Sequence, residues 1–539
     1  MIVTYEDLIP GHPYPYFHLG EEAWIPVETT TGTTRFGFAD LLRRSHEVIV
    51  LSIGDPLEKF ALLRYLMSLT YLIYAYDPEG DWEGVVKNSQ PLPSPGVEAV
   101  IERMKDKWWL YHPKTPFAQI PELRALMSKK FTEKDTLETA TENFECLVPF
   151  RPSKNNESWW YKPDGTRGLT HFEAPLVLLS RHYAAVMGNE AGILNEPKSR
   201  CEGGLMLAGP QEITNVFIGT PTLSHTLAVN MMASIANEIS TDSTLFFEDP
   251  LHIADHLDDY LYLYSASGGA SFLVWPGENA VATRVLRAPL PVEAAKAKDL
   301  MIHSKLRDPH VLRVKPKIGS SGTDNPNKGL VAFSSVAAQF ENVFEFYKRT
   351  EDGSSRLRSC VLQPRSLFIK NSIPNSLIGV TIAGGGTFTG ARIEAVNQIA
   401  LDPIPFLLGP EQAKALRTLV AKLADSKNSC LAQLKYELKH AIFGLSKPSS
   451  AKEESISRDA QILLWQSLDA SVATIYRDIA SSPEGPWLEE LPEETKREWI
   501  EHTCLVFDKV TSSYVNAPKM RSRVVKCRHN LRSSLWKKI

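Results

Sequence analysis

The stretch EDPLHIADHLDD, residues 248–259, sets two histidines in a dense run of acids. On a helix, His252, Asp255 and His256 would share one face, a ligand spacing found in some metalloenzymes. That arrangement would suit a metal-dependent phosphoesterase or nuclease. No further ligand or general base is indicated, and Pro250 among the acids suits a solvated helix start equally well. No G-x-S-x-G elbow occurs, and no histidine is tied to a serine or cysteine at a nucleophile spacing. The paired carboxylates lie in polar runs and read as solvated faces. The expectation is therefore of a protein without catalytic residues, cofactor or metal.

A second stretch, IGVTIAGGGTFTGARIE (378–394), carries chemistry of another kind. It is no P-loop, because no Gly-Lys-Ser/Thr follows, and the downstream residues lack the glycine spacing of a dinucleotide fingerprint. Alternating residues on both sides predict a hairpin whose tip is glycine-rich. Phe388 at that tip is an apolar residue on a flexible loop, and aromatic wedges of this kind part base steps in nucleic-acid binders. The pairs Trp108–Trp109 and Trp159–Trp160 offer base-stacking surfaces, or else core and interface anchors.

The strongest electrostatic signal is at the C-terminal end. Residues 519–539 hold eight lysines and arginines and no acid, leaving 51 basic against 63 acidic residues before them. Like charges this dense repel unless an anion offsets them, and phosphate backbone is the usual partner. The chain as a whole, at net charge −4, is no polycation.

The elements that must position these residues are legible in part. The segment 55–76 predicts a helix: Asp55 as N-cap, Pro56 at the first position, Glu58 placed to return the capping bond. Its Glu58, Lys59 and Arg64 make it a core helix and not a membrane span. YLYLYSASGGASFLVWPG predicts a hairpin about Gly-Gly, PHVLRVKPK a short strand, and FSSVAAQFENVFEFYKR a helix. Beyond Pro410 four amphipathic stretches follow. They carry Leu416, Leu419, Leu423, Leu431, Leu434, Leu438 and Ile442; Leu464, Leu468, Val472, Ile475 and Ile479; Trp499, Phe507, Val510 and Tyr514; and Val524, Leu531 and Leu535. Short linkers between such helices predict antiparallel neighbours. The fold class is α+β: a large mixed domain over 1–402, then a four-helix bundle over 403–539 whose last helix is basic. Six scattered cysteines without a C-x-x-C pair, and an N-terminal stretch without a signal-peptide layout, predict a cytoplasmic protein.

EEAWIPV near the start, DPLEKFALLRYLMSLTYLIY, LYHPKTPFAQ, the glycine-tipped hairpin and the helical end follow one another in the order of a known family. The chain resembles the large subunit of the type I-E CRISPR surveillance complex, called CasA in Cascade. The resemblance implies a non-catalytic subunit beside the 5′ end of the guide RNA. It implies reading of the protospacer-adjacent motif in double-stranded target DNA, largely from the minor groove. Help in opening the duplex and recruitment of the helicase–nuclease are implied as well. The partners would be the other Cascade subunits, the guide RNA, the target duplex and that effector, with no membrane.

Carried onto this sequence, the wedge hairpin falls on Gly384, Gly385, Gly386, Thr387, Phe388, Thr389, Gly390 and Ala391. Thr389 and Gly390 lack the polar amide usual at the tip, so Phe388 would stand in as wedge. The lysine finger falls just ahead of RDPH (307–310), on Lys296 or Lys298. The glycine loop maps onto Gly188, Asn189 and Gly192. Metal-holding cysteines of some members are absent, and none is expected. The basic helix adds Arg521, Arg523, Lys526, Arg528 and Arg532.

Overall fold

The computed structural model describes residues 15–112, 114–120, 142–143, 168–184, 188–189, 200–201, 213–250, 252–266, 269–274, 284–289, 308, 310, 313–314, 357–358, 375–383, 392–401, 415, 418–419, 421–425, 428–444, 450–481 and 491–539. Helices and strands are both present, and the chain divides into two compact units. The first comprises Met1–Ala332, Ser359–Asn371 and Leu377–Gln398; the second comprises Phe333–Arg358, Ser372–Ser376 and Ile399–Ile539. The expected division between residues 402 and 403 falls outside the described residues.

The first unit opens with β1 (Tyr16–His18), β2 (Ile25–Thr29), β3 (Gly32–Phe36), α1 (Phe38–Arg43) and β4 (Val48–Leu51). β2 is the centre of an antiparallel sheet with β3 and β4 at its edges. Next come α2 (Pro56–Tyr76), α3 (Trp82–Asn88), α4 (Ser94–Met104) and β5 (Trp109–Tyr111), which pairs with β1. α2 begins as its residues predict: the Asp55 side chain accepts a hydrogen bond from Leu57 N at 2.7 Å. The helix is buried on nearly all sides, because α4, α5 (Ala174–Ala184) and α6 (Leu223–Asn230) pack around it. Trp108 is fully buried and donates from Nε1 to Tyr65 Oη at 2.8 Å, so it is a core anchor.

Later strands are β6 (Glu142–Asn143), β7 (Gly188–Asn189), β8 (Arg200–Cys201) and β9 (Ile213–Gly219). The expected hairpin at 260–277 is corrected. Its first arm is a short helix, α7 (Tyr260–Ser265), capped by Asp259, which accepts from Leu261 N and Tyr262 N. All six α7 residues are buried, so a tyrosine–leucine alternation carried no information about which side faces water. The second arm, β10 (Gly269–Val274), pairs instead with β11 (Arg284–Pro289), which pairs in turn with β6. Arg313–Val314 is a strand, β12, within the expected PHVLRVKPK; the helix expected at 333–349 lies outside the described residues. β13 (Asn375–Ala383) lies between β14 (Arg392–Leu401) and β9 in one sheet.

The second unit holds α8 (Cys430–Phe443), α9 (Ser450–Ser481), α10 (Glu493–Val515) and α11 (Pro518–Lys538), which pack on one another. Leu434, Leu438, Leu464, Leu468, Trp499, Phe507, Leu531 and Leu535 are all buried, as their spacing predicts. The first amphipathic stretch is not one continuous helix. Ala421–Asp425 is a wide π-type turn, and Ser429 starts α8 afresh by accepting from Ala432 N at 3.2 Å.

Candidate nucleic-acid interface

Gly384–Ala391 lie outside the described residues, as do Lys296, Lys298, Gly192, Trp159 and Trp160. What positions several of them is described. β13 and β14 are hydrogen-bonded neighbours, and only eight residues join them. A parallel connection needs a longer crossover, so the join fits a hairpin. Of the expected glycine loop, Gly188 and Asn189 are described. They are strand residues, Gly188 paired with Cys201 and Asn189 with Arg200.

Downstream of the two lysines, Asp308 and His310 are fixed in the core. Arg64, buried in the middle of α2, donates from Nη2 to Asp308 Oδ2 at 2.5 Å and to the Tyr264 carbonyl at 3.1 Å. Its guanidinium carbon lies 4.3 Å from the centroid of the Tyr264 ring. Asp308 Oδ1 accepts from His310 N at 2.9 Å, and the His310 ring stacks on Phe217 at 4.2 Å between centroids. The His310 carbonyl accepts from Val216 N in β9. Burial works to raise the Asp308 carboxyl, but the Arg64 charge outweighs it and holds the group below the usual carboxylate range. Burial likewise works against the Arg64 charge, and Asp308 overrides it. The pair thus pins Asp308 to a helix more than 240 positions away. The sequence marks Arg64 only as a charge in an apolar helix; its partner carries no local signal.

The five basic positions of α11 separate into two sets. Arg523 donates from Nε to Ala441 O at 2.8 Å and from Nη2 to Ile442 O at 3.0 Å, closing the C-terminal carbonyls of α8. Gly444, at φ +63°, turns the chain away beneath it. Arg528 Nε sits 2.7 and 2.8 Å from the two Asp508 oxygens on α10, and that hydrogen bond raises its pKa. These two reach back into neighbouring helices, which gives each a structural role. Arg521, Lys526 and Arg532 are exposed.

The histidine cluster also differs from its expected form. Ile253–His256 is a 3-10 turn, and both histidines meet Asp249 instead of grouping with Asp255: His252 Nδ1 at 2.6 Å and His256 Nε2 at 3.0 Å. The His256 ring stacks on Tyr262, whose hydroxyl donates to the Asp249 carbonyl at 2.7 Å. Among the described residues no three His, Cys, Asp or Glu side chains are arranged to hold a metal ion. The cysteines described with their side chains, Cys430, Cys504 and Cys527, are buried; burial pushes the Cys430 thiol up to about 12. Among the described residues no helix is long and apolar enough to cross a membrane.

Comparison with known proteins extends the picture beyond this local geometry. CRISPR-associated protein CasA/Cse1 of Thermus thermophilus is 29% identical over 111 residues, which span 20% of this chain and only 21% of that protein. Thermobifida fusca Cse1 superposes with a TM-score of 0.69 at 15% identity, covering 97% of this chain and 98% of that one. A chain of a structure described as a CRISPR RNA-guided surveillance complex superposes with a TM-score of 0.66 at 18% identity, covering 97% and 100%. Identities this low show a shared fold. The family model for CRISPR-associated protein Cse1 matches residues 19–505, most of the chain. The chain belongs to the CRISPR-associated protein Cse1 family.

Proposed function

We propose that this chain is the large, non-catalytic subunit of a CRISPR RNA-guided surveillance complex. In it the chain recognises the protospacer-adjacent motif in duplex DNA, helps open the duplex for guide pairing and recruits a helicase–nuclease. The observation that carries the reading is the family match over residues 19–505, joined by a full-length likeness to a chain of such a complex. The work would be divided by ordinary energetics. Lys296 or Lys298, with the exposed Arg521, Lys526 and Arg532, supply salt-dependent affinity for phosphate, which carries no sequence information. Residues 384–391 approach the minor groove, whose degenerate pattern yields only coarse discrimination, and the guide supplies the rest by pairing. Phe388 is the wedge. The pinned Asp308–His310 pair anchors the chain that follows the lysines.

The test is target-duplex affinity of the cognate guide-RNA complex, with and without this chain, at fixed salt, repeated with the flanking base pairs scrambled. The expected result is tightening that needs both the chain and the flanking pairs. A chain that neither joins the complex nor changes affinity would overturn the reading.

A further inference from the structure

β9 is the outer strand of the sheet that carries the 384–391 connection: β13 lies beside it and β14 beyond. Val216, Phe217 and Ile218 of β9 are all buried, so each backbone group along its outer edge needs a partner. Among the described residues no strand pairs with that edge. Two residues from distant parts of the chain close it instead. Val216 N donates to the His310 carbonyl at 2.8 Å, and Nδ1 of the His310 ring lies 3.2 Å from the Val216 carbonyl. A carbonyl only accepts, so Nδ1 carries the proton in this contact. Two positions on, Ile218 N donates to Asn230 Oδ1 at 2.9 Å, and Asn230 Nδ2 donates to the Ile218 carbonyl at 2.7 Å. Val216 and Ile218 thus each make the pair of bonds that a neighbouring strand would supply.

The two clamps are themselves fixed. Asn230 ends α6, every residue of which is buried, and its amide also donates to the Thr226 carbonyl at 2.7 Å. His310 N donates to Asp308, which Arg64 of α2 holds in turn. Phe217, between the two clamped residues, packs against the His310 ring and against Phe60 of α2. β9 is therefore joined to α2 and α6 along one edge and to β13 along the other. A wedge needs such a base. Parting a base step loads the inserted ring against the stack, and a hairpin that yields by about 1 Å spends that work on moving its own strands.

We infer that His310 and Asn230 are positioning residues for duplex opening: by closing the outer edge of β9 they make a rigid base from which the 384–391 connection projects. The inference rests on the proposed function, in which that connection is the wedge. Neither residue touches nucleic acid, because both are fully buried.

The experiment uses the assembled guide complex and compares pairing with an intact duplex and with a pre-melted target. His310→Phe keeps the ring stack and the backbone carbonyl but loses the Nδ1 donor. It should slow pairing with the intact duplex by about fivefold, and with the pre-melted target by no more than about twofold. His310→Asn puts an amide N–H where Nδ1 stood and gives up the stack. It should open the duplex within about twofold of the wild-type rate while melting at a lower temperature than His310→Phe, an ordering that a purely structural role would reverse. In a Phe388→Ala background His310→Phe should add no more than about twofold, since a base without its wedge has nothing to hold. Hydrogen exchange of the wild-type chain needs no variant: the Val216 and Ile218 amides should exchange as slowly as those in the middle of α2. Three results would overturn the inference while leaving the proposed function intact: equal losses on both targets, opening rates that follow melting temperature across the variants, or rapid exchange at either amide. Phe388→Ala without effect on the intact duplex would remove the wedge, and the inference with it.

Discussion

Glu58 lies in the first turn of α2, where its spacing from Asp55 predicts the returning half of a capping box. In the fold Asp55 accepts from Leu57 N, and Glu58 is half-buried near the charges of Asp55 and Glu173. Burial first, and those two carboxylates second, raise its carboxyl from 4.5 to about 7. Between those values the unfolded chain releases the proton before the folded one does. Stability therefore falls as pH rises through this window, and the loss is complete above about 7. Glu58→Gln removes the charge and keeps the shape. It should leave stability unchanged at pH 4 and raise it by about 1–2 kcal/mol at pH 8, a figure reduced for the water that reaches a half-buried group. Urea unfolding at the two pH values checks this, and an equal gain at both would mean that titration is not the cause. Arg64 teaches the complementary lesson. Its place in α2 is legible as a charge in an apolar helix, but Asp308 is chosen by the tertiary fold, and no spacing in the chain encodes the pair.

α11 divides its basic side chains between contacts to neighbouring helices and the open surface. Helical periodicity sends Val524, Leu531 and Leu535 into the core, and Arg523 and Arg528 flank that buried face. Arg523→Ala leaves the last carbonyls of α8 without their cation and should cost about 1–2 kcal/mol of stability, read by denaturant unfolding. Neutralising Arg521, Lys526 and Arg532 together should leave stability within about 0.5 kcal/mol of wild type. The same triple change should reduce the salt slope of DNA binding by about 0.9 for each phosphate that is no longer neutralised. A loss of stability in the triple variant, or an unchanged slope, would contradict the division. The apolar spacing of α9–α11 was readable because each helix buries one stripe and wets the other. The reading failed where that contrast vanished. α7 is buried throughout, so its residues mimic a strand. α8 follows a π-type turn, and only Ser429, a good N-cap, signals the restart. Asn230 and His310 lie far apart in the chain, each unremarkable alone, and only the fold brings both to one edge of β9.

At the scale of the whole molecule, sequence alone displays a mixed α/β body, a helical end and an ordered set of short motifs, and the family match gives that order its meaning. The proposed function then makes a demand that separates opening from holding. Parting a base step costs a few kcal/mol, and an inserted aromatic ring offsets part of that cost by stacking. If the eight residues between β13 and β14 do this, the benefit exists only while a step must be parted. A target already melted across the guide-pairing region has no such cost, so the wedge contributes little to it. Phe388→Ala should therefore slow pairing of the guide complex with an intact duplex by about tenfold or more. With a pre-melted target it should change the rate by no more than about twofold. Alanine at Lys296 and Lys298 should instead weaken both substrates together, because phosphate is present in each, and the deficit should shrink as salt rises. Fluorescence of a base analogue placed at the first paired step distinguishes the two patterns. Equal losses on both substrates for Phe388→Ala would reduce the hairpin to one more phosphate-binding element and move the opening step elsewhere in the complex.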